Sequence, residues 1–451
     1  MKTNITRRHF LEKTSLAGAG VALALPHLTG AAEAAADLPA KLGGKPACSG
    51  GWPGWPVFGA PEEQALLDTL KSGHWYRGTG KAVSSFEEAY QKLTGAKHCL
   101  ATASGTAALS TTLGALEIGP GDEVIIPPYT FVATYNAVVL NYALPVFVDS
   151  DVESFQIDAN QIEAAITRDT KVIMPVHMGG YPVNLDKILE VAGKHKVPVV
   201  EDACQAHLAE WRGRKVGTWG LAGCFSFQAS KNLNSGEGGA VLTNDDQFGE
   251  LCYNFHNQGR ARQVSGYNFS YSGTRGSNLR LCEFQGGLLT AQMTRVIEQS
   301  NRRHENALYL TKLLGEIPGI KPARLHEGTT RTSRLLLMAR YQKEHFANLD
   351  RSKFLAALSA EGIPCTPGYG PLNLEQNVQA LAANRCYLRI YGKRTMARWV
   401  ERNRCPVNDK LCAEALWFPQ NVLLGSKSDM DQVAEAIRKI QAGAADIAKA
   451  G

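Results

Sequence analysis

A lysine standing in a tight loop directly after a strand is the residue of this chain best placed for covalent chemistry. Lys231 closes the run Ser226-Phe227-Gln228-Ala229-Ser230-Lys231, and Gly236, Gly238 and Gly239 follow it. A glycine-rich loop between strands keeps the amine from bulk water. Desolvation lowers its pKa and frees the lone pair for imine formation with a carbonyl. Read alone, the same lysine is one more solvated surface cation, so its companions matter. Asp202 follows the apolar run Val197-Pro198-Val199-Val200-Glu201, at the carboxyl end of a strand, where open α/β sheets hold ligands. A carboxylate there keeps a pyridine nitrogen protonated and makes the ring an electron sink; equally, it caps the next helix. Ser104-Gly105-Thr106 follows a strand and opens a helix. Its free N–H groups, the helix dipole and a hydroxyl suit a phosphate, or form a plain capped helix start. Asn278-Leu279-Arg280, before a long helical stretch, is a polar loop that could donate to a phosphate or to a partner subunit.

These residues need a frame that brings strand ends together. Short apolar strands at His98–Thr102, Glu123–Ile126, Pro145–Val148, Val172–Val176 and Val197–Glu201 alternate with helical stretches at Thr106–Leu116, Phe131–Leu140, Asn160–Ile166 and Leu185–Lys194. That alternation predicts an α/β fold around a mostly parallel sheet. The pattern then changes. Gly223–Phe227 and Ala240–Thr243 are strands joined by a loop, not a helix. A helical stretch from Gly287 past Arg303 is placed to link two domains. A chain of 451 residues is too long for one small core. The organisation expected is an N-terminal segment 1–36, an arm at 37–60 rich in Gly, Pro and Trp, a large domain 61–310 and a smaller C-terminal α+β domain 311–445.

Together the motifs resemble a known family. From Trp52 to the C-terminus the chain is similar to the DegT/StrS sugar aminotransferases, a branch of the fold-type-I pyridoxal-phosphate enzymes. The resemblance rests on ASGTAAL, GDEVIIPPYTFVATYNAV, PVFVDSD, PVHMGGYPVNLD, VVEDACQAH, CFSFQASKNLNSGEGGAVLTND and SNLRLCEFQGG, and is less sharp in the C-terminal third. It implies a seven-stranded-type sheet in the large domain and pyridoxal 5′-phosphate as cofactor. Lys231 is then the Schiff-base lysine and the acid/base of the proton shift, and Asp202 pairs with the pyridine N–H. Gln205 meets the ring 3′-oxygen and Phe131 stacks on the ring face. Gly105, Thr106 and Ser226 contact the phosphate, and Asn278 reaches the phosphate across a dimer interface, which makes a homodimer the expected minimal unit. The implied activity is transfer of an amino group from glutamate or glutamine to a keto-sugar or a cyclitol ketone. Substrate contacts are expected from the loops 75–81, 258–277 and 368–372. Two alternatives stand beside it: a dehydratase or aromatising synthase on a cyclic substrate, and a non-catalytic regulatory protein of the same fold. Retention of Lys231, Asp202 and Gln205 speaks against the last. The chain departs from the family pattern at Gln285-Gly286-Gly287, where two glycines predict a looser helix start.

The remaining features set the surroundings. A net charge of +6, with no dense Lys/Arg run, gives no sign of nucleic-acid binding. The ten cysteines form no CxxC and no zinc-like cluster, so no metal is expected. Most read as small buried apolar groups; Cys405 and Cys412 are a candidate pair after export, and sequence does not decide the connectivity. The first 36 residues have the layout of an export signal. Thr6-Arg7-Arg8-His9-Phe10-Leu11 is of twin-arginine type, and the apolar run after it is short of the about twenty residues of a membrane span. A twin-arginine route carries folded proteins, so the cofactor would be loaded before export; a membrane-anchored or cytoplasmic protein is the alternative.

Overall fold

The computed structural model describes residues 38–262 and 273–450. The expected export signal and part of the expected 258–277 loop lie outside them. The main elements of the large domain are α1 (Ala60–Ser72), α2 (Ala82–Thr94), β1 (His98–Thr102), α3 (Gly105–Ala115), β2 (Glu123–Ile126), α4 (Val132–Val139), β3 (Leu144–Phe147), β4 (Thr170–Ile173), α5 (Leu185–His195), β5 (Val200–Asp202), β6 (Ala222–Ser226), β7 (Gly239–Thr243) and α6 (Asp246–His256). Bridges Ile173–Val199 and Val176–Asp202 join two ladders into one sheet of order β3-β2-β4-β5-β6-β7-β1. All its pairings are parallel except those of β7, which runs antiparallel to both β6 and β1. β1 therefore points the same way as β5 and β6. The carboxyl ends of β1, β5 and β6 all lie along one edge.

The strands are apolar and buried on both faces, as EVII in β2 and AGCFS in β6 illustrate, because helices cover the sheet on each side. α3 carries small or apolar residues all round and is almost wholly buried, which suits a helix inside a domain rather than on its surface. α5 is amphipathic instead. Leu185, Ile188, Val191 and Ala192 face inward, and the Asn184 side chain caps its start by accepting from the Lys187 N–H. The helix expected at 160–166 shrinks to one turn, Ile162–Ala165. Asp158 accepts from the Asn160 N–H and the Gln161 side chain, and such local bonds compete with helix formation.

The rest of the chain comprises α7 (Glu283–Gly315), β8 (Ile320–Pro322), β9 (Leu336–Tyr341), α8 (Arg351–Ala360), α9 (Arg385–Arg402), α10 (Pro406–Glu414), β10 (Ala415–Pro419) and α11 (Lys427–Ala442). β8, β9 and β10 form an antiparallel sheet, whose core takes in Ala307, Leu310 and Leu314 from the end of α7 and Val433, Ala436 and Ile440 from α11. The long helix thus spans the boundary expected at 310. Residues 372–405 do not stay with the small domain. Leu372, Tyr387, Met396 and Trp399 join the core of the large one, and the Trp399 indole and Tyr387 hydroxyl donate to the carbonyls of Pro145 and Ala143 beside β3. The arm folds back onto its own chain. Glu361 accepts from the Ala40 and Ala47 N–H groups at 2.7 and 2.8 Å and pairs with Lys439.

The start of α7 is not looser for its two glycines. A Cβ on Gly286 would stand 2.7 Å from the Val83 nitrogen, and one on Gly287 would stand 2.9 Å from the Thr69 hydroxyl. The glycines let α7 pack directly on α2 and α1. All ten cysteines are free thiols, Cys405 and Cys412 included, so the pairing weighed for these two is not formed.

Candidate active site

At the carboxyl edge of the sheet lies a cavity of about 510 Å³. Its lining includes Gly105, Thr106, Phe131, Asp202, Gln205, Ser226 and Lys231, seven of the eight residues singled out from the sequence. They come from loops far apart in the chain and meet because β1, β5 and β6 are parallel. The cavity opens where α/β sheets commonly hold ligands.

Asp202 ends β5 with its side chain toward the cavity. Glu201, one residue earlier, points to the opposite face. The Asp202 Oδ2 accepts from the Thr134 hydroxyl at 2.8 Å and the Oδ1 accepts from the Cys204 N–H at 3.2 Å. The Thr130 hydroxyl lies 2.8 Å behind that of Thr134, so a hydroxyl chain backs the carboxylate. Glu201 is fully buried, which on its own would raise its pKa. Its bond to His177 at 3.0 Å and the N–H groups of Gly217, Trp219 and Gly220 outweigh that and hold it below the usual range. This pair locks β5 from behind.

Lys231 is half-buried in the loop after β6. Its amine has no hydrogen-bond partner among the described residues. Burial pushes its pKa down, while Cys204 and Asp202 pull the other way and lose. The loop start is fixed by His207. The Ser226 carbonyl can only accept, so His207 Nε2 donates to it at 2.8 Å and Nδ1 is left to accept from the Tyr90 hydroxyl at 2.9 Å. Burial holds that imidazole neutral, its pKa lowered to about 4.

The floor is an anion cradle. Ser104 caps α3 by accepting from the Ala107 N–H. The N–H groups of Gly105 and Thr106 have no partner in the helix, as expected for its first turn. A Cβ on Gly105 would stand 2.7 Å from the Ser226 Cβ and 2.9 Å from the Cys204 sulfur, so only glycine leaves this corner open. Phe131, 55 % exposed, stands at the start of α4 on one wall. Gln205 is oriented by Gly179, whose N–H donates to its Oε1 at 2.8 Å; its Nε2 then faces the Tyr369 hydroxyl at 3.5 Å.

Asn278 is exposed and does not line the cavity of its own chain. Thr134 and Tyr369 were missed by the sequence. Thr134 had a signal, three residues after Phe131 and so on the same first turn of α4. Tyr369 had none as an individual, though it lies in the expected 368–372 loop.

The chain is similar to known proteins over most of its length. The model of the DegT/DnrJ/EryC1/StrS aminotransferase family matches residues 58–438. An L-glutamine:2-deoxy-scyllo-inosose aminotransferase of Streptomyces paromomycinus is 35 % identical over 413 residues, covering 89 % of this chain and 97 % of its own. The 3-amino-5-hydroxybenzoate synthase of Amycolatopsis mediterranei is 32 % identical over 86 % of this chain and 96 % of its own. A crystal structure of 3-amino-5-hydroxybenzoic acid synthase superposes with a TM-score of 0.76 at 32 % identity, covering 87 % of this chain and 98 % of that one.

Proposed function

The chain belongs to the DegT/DnrJ/EryC1/StrS aminotransferase family, and on that premise we propose that it moves the amino group of glutamine, or of glutamate, to a ketone carried by a polyhydroxylated ring, a cyclitol or a sugar. It is an aminotransferase, and its cofactor is pyridoxal 5′-phosphate. One observation carries the reading: the Lys231 amine and the Asp202 carboxylate line the same cavity, above a helix start with free N–H groups. The residues present fit the cofactor. Gly105, Thr106 and Ser226 form a cradle a phosphate would fill, Asp202 suits a protonated pyridine nitrogen, Gln205 offers an N–H to a ring oxygen, and Phe131 offers a flat apolar face.

When bound, the cofactor supplies a carbonyl that condenses with amines and a ring that accepts electrons. The chain supplies the rest. Lys231, its pKa lowered by burial, would hold the cofactor's carbonyl carbon through its neutral amine and, once freed, would take the donor's Cα proton on Nζ and hand it on within the site. Asp202, its carboxylate plane fixed by Thr134 and Cys204, would accept from a protonated ring nitrogen. Gln205, turned by Gly179, would hold the ring in register. Transfer to the ketone uses the same groups in reverse order.

Glutamine should bleach the visible absorption of the purified yellow enzyme, and Lys231→Ala should lack that band. An enzyme bleached by no amino donor overturns the aminotransferase reading. The likeness to 3-amino-5-hydroxybenzoate synthase favours a second reading, loss of water and aromatisation of a cyclic substrate with Lys231 as base. An aromatic product absorbing in the ultraviolet would mark it.

The working unit in this proposal is a homodimer, in which the exposed Asn278 meets the partner's phosphate. Residues 1–36 carry the protein out of the cytoplasm by a twin-arginine route. Arg7→Lys with Arg8→Lys should hold it inside; unchanged export of that double variant would instead indicate a general secretory signal.

A further inference from the structure

Beside the cofactor cavity a second chamber of about 250 Å³ shares Gln205, Ser230, Lys231 and Tyr369 with it and adds Trp55, Trp417, Gln420 and Asn421. Its polar chemistry is set by two amide side chains whose orientations are forced. Arg303, at 0 % exposure, donates from Nε to the Gln420 Oε1 at 2.7 Å. A guanidinium has no acceptor, so the amide oxygen of Gln420 must face it. The Gln420 Nε2 is turned away from Arg303 and has no protein partner among the described residues. Asn421 is fixed the other way round. Its Nδ2 donates to the Pro53 carbonyl at 3.0 Å, and a carbonyl can only accept, so the Oδ1 is the atom left free. Two consecutive residues that line the chamber thus differ in what they have unpaired: Gln420 keeps an amide donor and Asn421 an amide acceptor.

Both orientations are braced from behind. The Arg303 guanidinium stacks 4.8 Å from the centre of the Trp55 ring, and its two Nη groups meet no acceptor among the described residues, so no carboxylate competes for Arg303 with Gln420. Trp55 is held by its indole N–H on the Ala229 carbonyl at 2.9 Å, two residues before Lys231. The arm, the long helix α7 and the end of β10 together hold the two amides next to the reactive lysine.

We infer that Gln420 and Asn421 recognise the side-chain carboxamide of the amino donor and make glutamine the preferred one; this rests on the aminotransferase reading. A primary amide is complementary to the pair. Its oxygen accepts from Gln420 and its NH2 donates to Asn421. Glutamate, whose carboxylate has acceptors only, satisfies Gln420 but sets lone pairs against the Asn421 oxygen. A site built to hydrogen-bond an N–H rejects the analogue that lacks it far more strongly than a merely apolar pocket does.

The test is single-turnover bleaching of the holoenzyme's visible band by L-glutamine and by L-glutamate, with kcat/KM for each. The wild type should prefer glutamine by about tenfold to a hundredfold. Asn421→Leu should lower kcat/KM for glutamine and raise it for glutamate, so that the ratio collapses toward one. Gln420→Met should weaken both donors through KM and leave the cofactor's spectrum unchanged. Equal use of the two donors by the wild type, which needs no variant to fold, overturns the inference. So does an Asn421→Leu ratio equal to that of the wild type. In both cases bleaching itself leaves the aminotransferase reading standing; absence of bleaching by either donor would remove that reading and this inference with it.

Discussion

Replacing Thr134 by valine tests whether Asp202 works as an oriented carboxylate. The substitution keeps shape and removes one hydroxyl. That hydroxyl donates to the Asp202 Oδ2 at 2.8 Å and is itself 2.8 Å from the hydroxyl of Thr130. Thr134 is 1 % exposed, so water does not readily take its place. A hydrogen bond to a charged group contributes about 1.5–3 kcal/mol. If the bond matters equally to the carboxylate's hold on the ring nitrogen, kcat/KM for the glutamine half-reaction falls by about tenfold to 150-fold. The assay is stopped-flow bleaching of the visible band, with cofactor affinity measured separately by titrating the apoenzyme. Thr134→Ser, which keeps the hydroxyl, should recover most of the rate. A Thr134→Val enzyme within twofold of wild type refutes the reasoning, as does a serine variant no better than valine.

Two further outcomes follow from the same structure. Because burial lowers the pKa of Lys231 below the ordinary 10.5, its amine loses its proton earlier than a free lysine does. Capture of pyridoxal phosphate by the apoenzyme should therefore rise with pH and level off below 10.5; a midpoint at or above that value contradicts the assignment. The lowered pKa also means that the folded apoenzyme binds fewer protons there than the unfolded chain, so this group's penalty on stability is full below its folded pKa and fades as pH rises toward its unfolded one. In the small domain, Lys439→Met leaves Glu361, which is 0 % exposed and bonds Lys439 at 2.9 Å, with its backbone donors Ala40 and Ala47 but without its cation. Breaking a buried pair by removing one partner costs about 3–5 kcal/mol, so urea denaturation should show a clearly lower midpoint, and an unchanged midpoint would mean the pair is solvated.

How much of this was legible without coordinates differs from element to element. The parallel run of strands was visible because both faces of a covered sheet must be apolar. The change of pattern at β7 was visible because a loop, not a helix, joins it to β6; that β7 runs antiparallel was decided by its pairing. The single turn at 162–165 is shorter than its apolar residues suggest, since the bonds of Asp158 to residues 160 and 161 delay its start and Ile166 is extended. Gly286 and Gly287 looked like flaws in a helix. They are contact points, which depends on what packs against them and not on the helix itself.

The residue types proposed to meet the cofactor, Lys231, Asp202, Gln205 and the Ser104-Gly105-Thr106 turn, were set by local sequence. Each sits at a strand end, and the position of a strand end follows from nearby apolar and glycine residues. What closes the site was decided only by folding. Gln205 and Tyr369 are 164 residues apart, Asn421 and Pro53 are 368 apart, and Arg303 and Gln420 are 117 apart. No local pattern encodes such pairs, because hydrogen-bond partners of that separation are selected by how two domains and an arm come to rest against each other. The direction in which an amide points is settled by the donor or acceptor behind it, and that neighbour exists only in three dimensions.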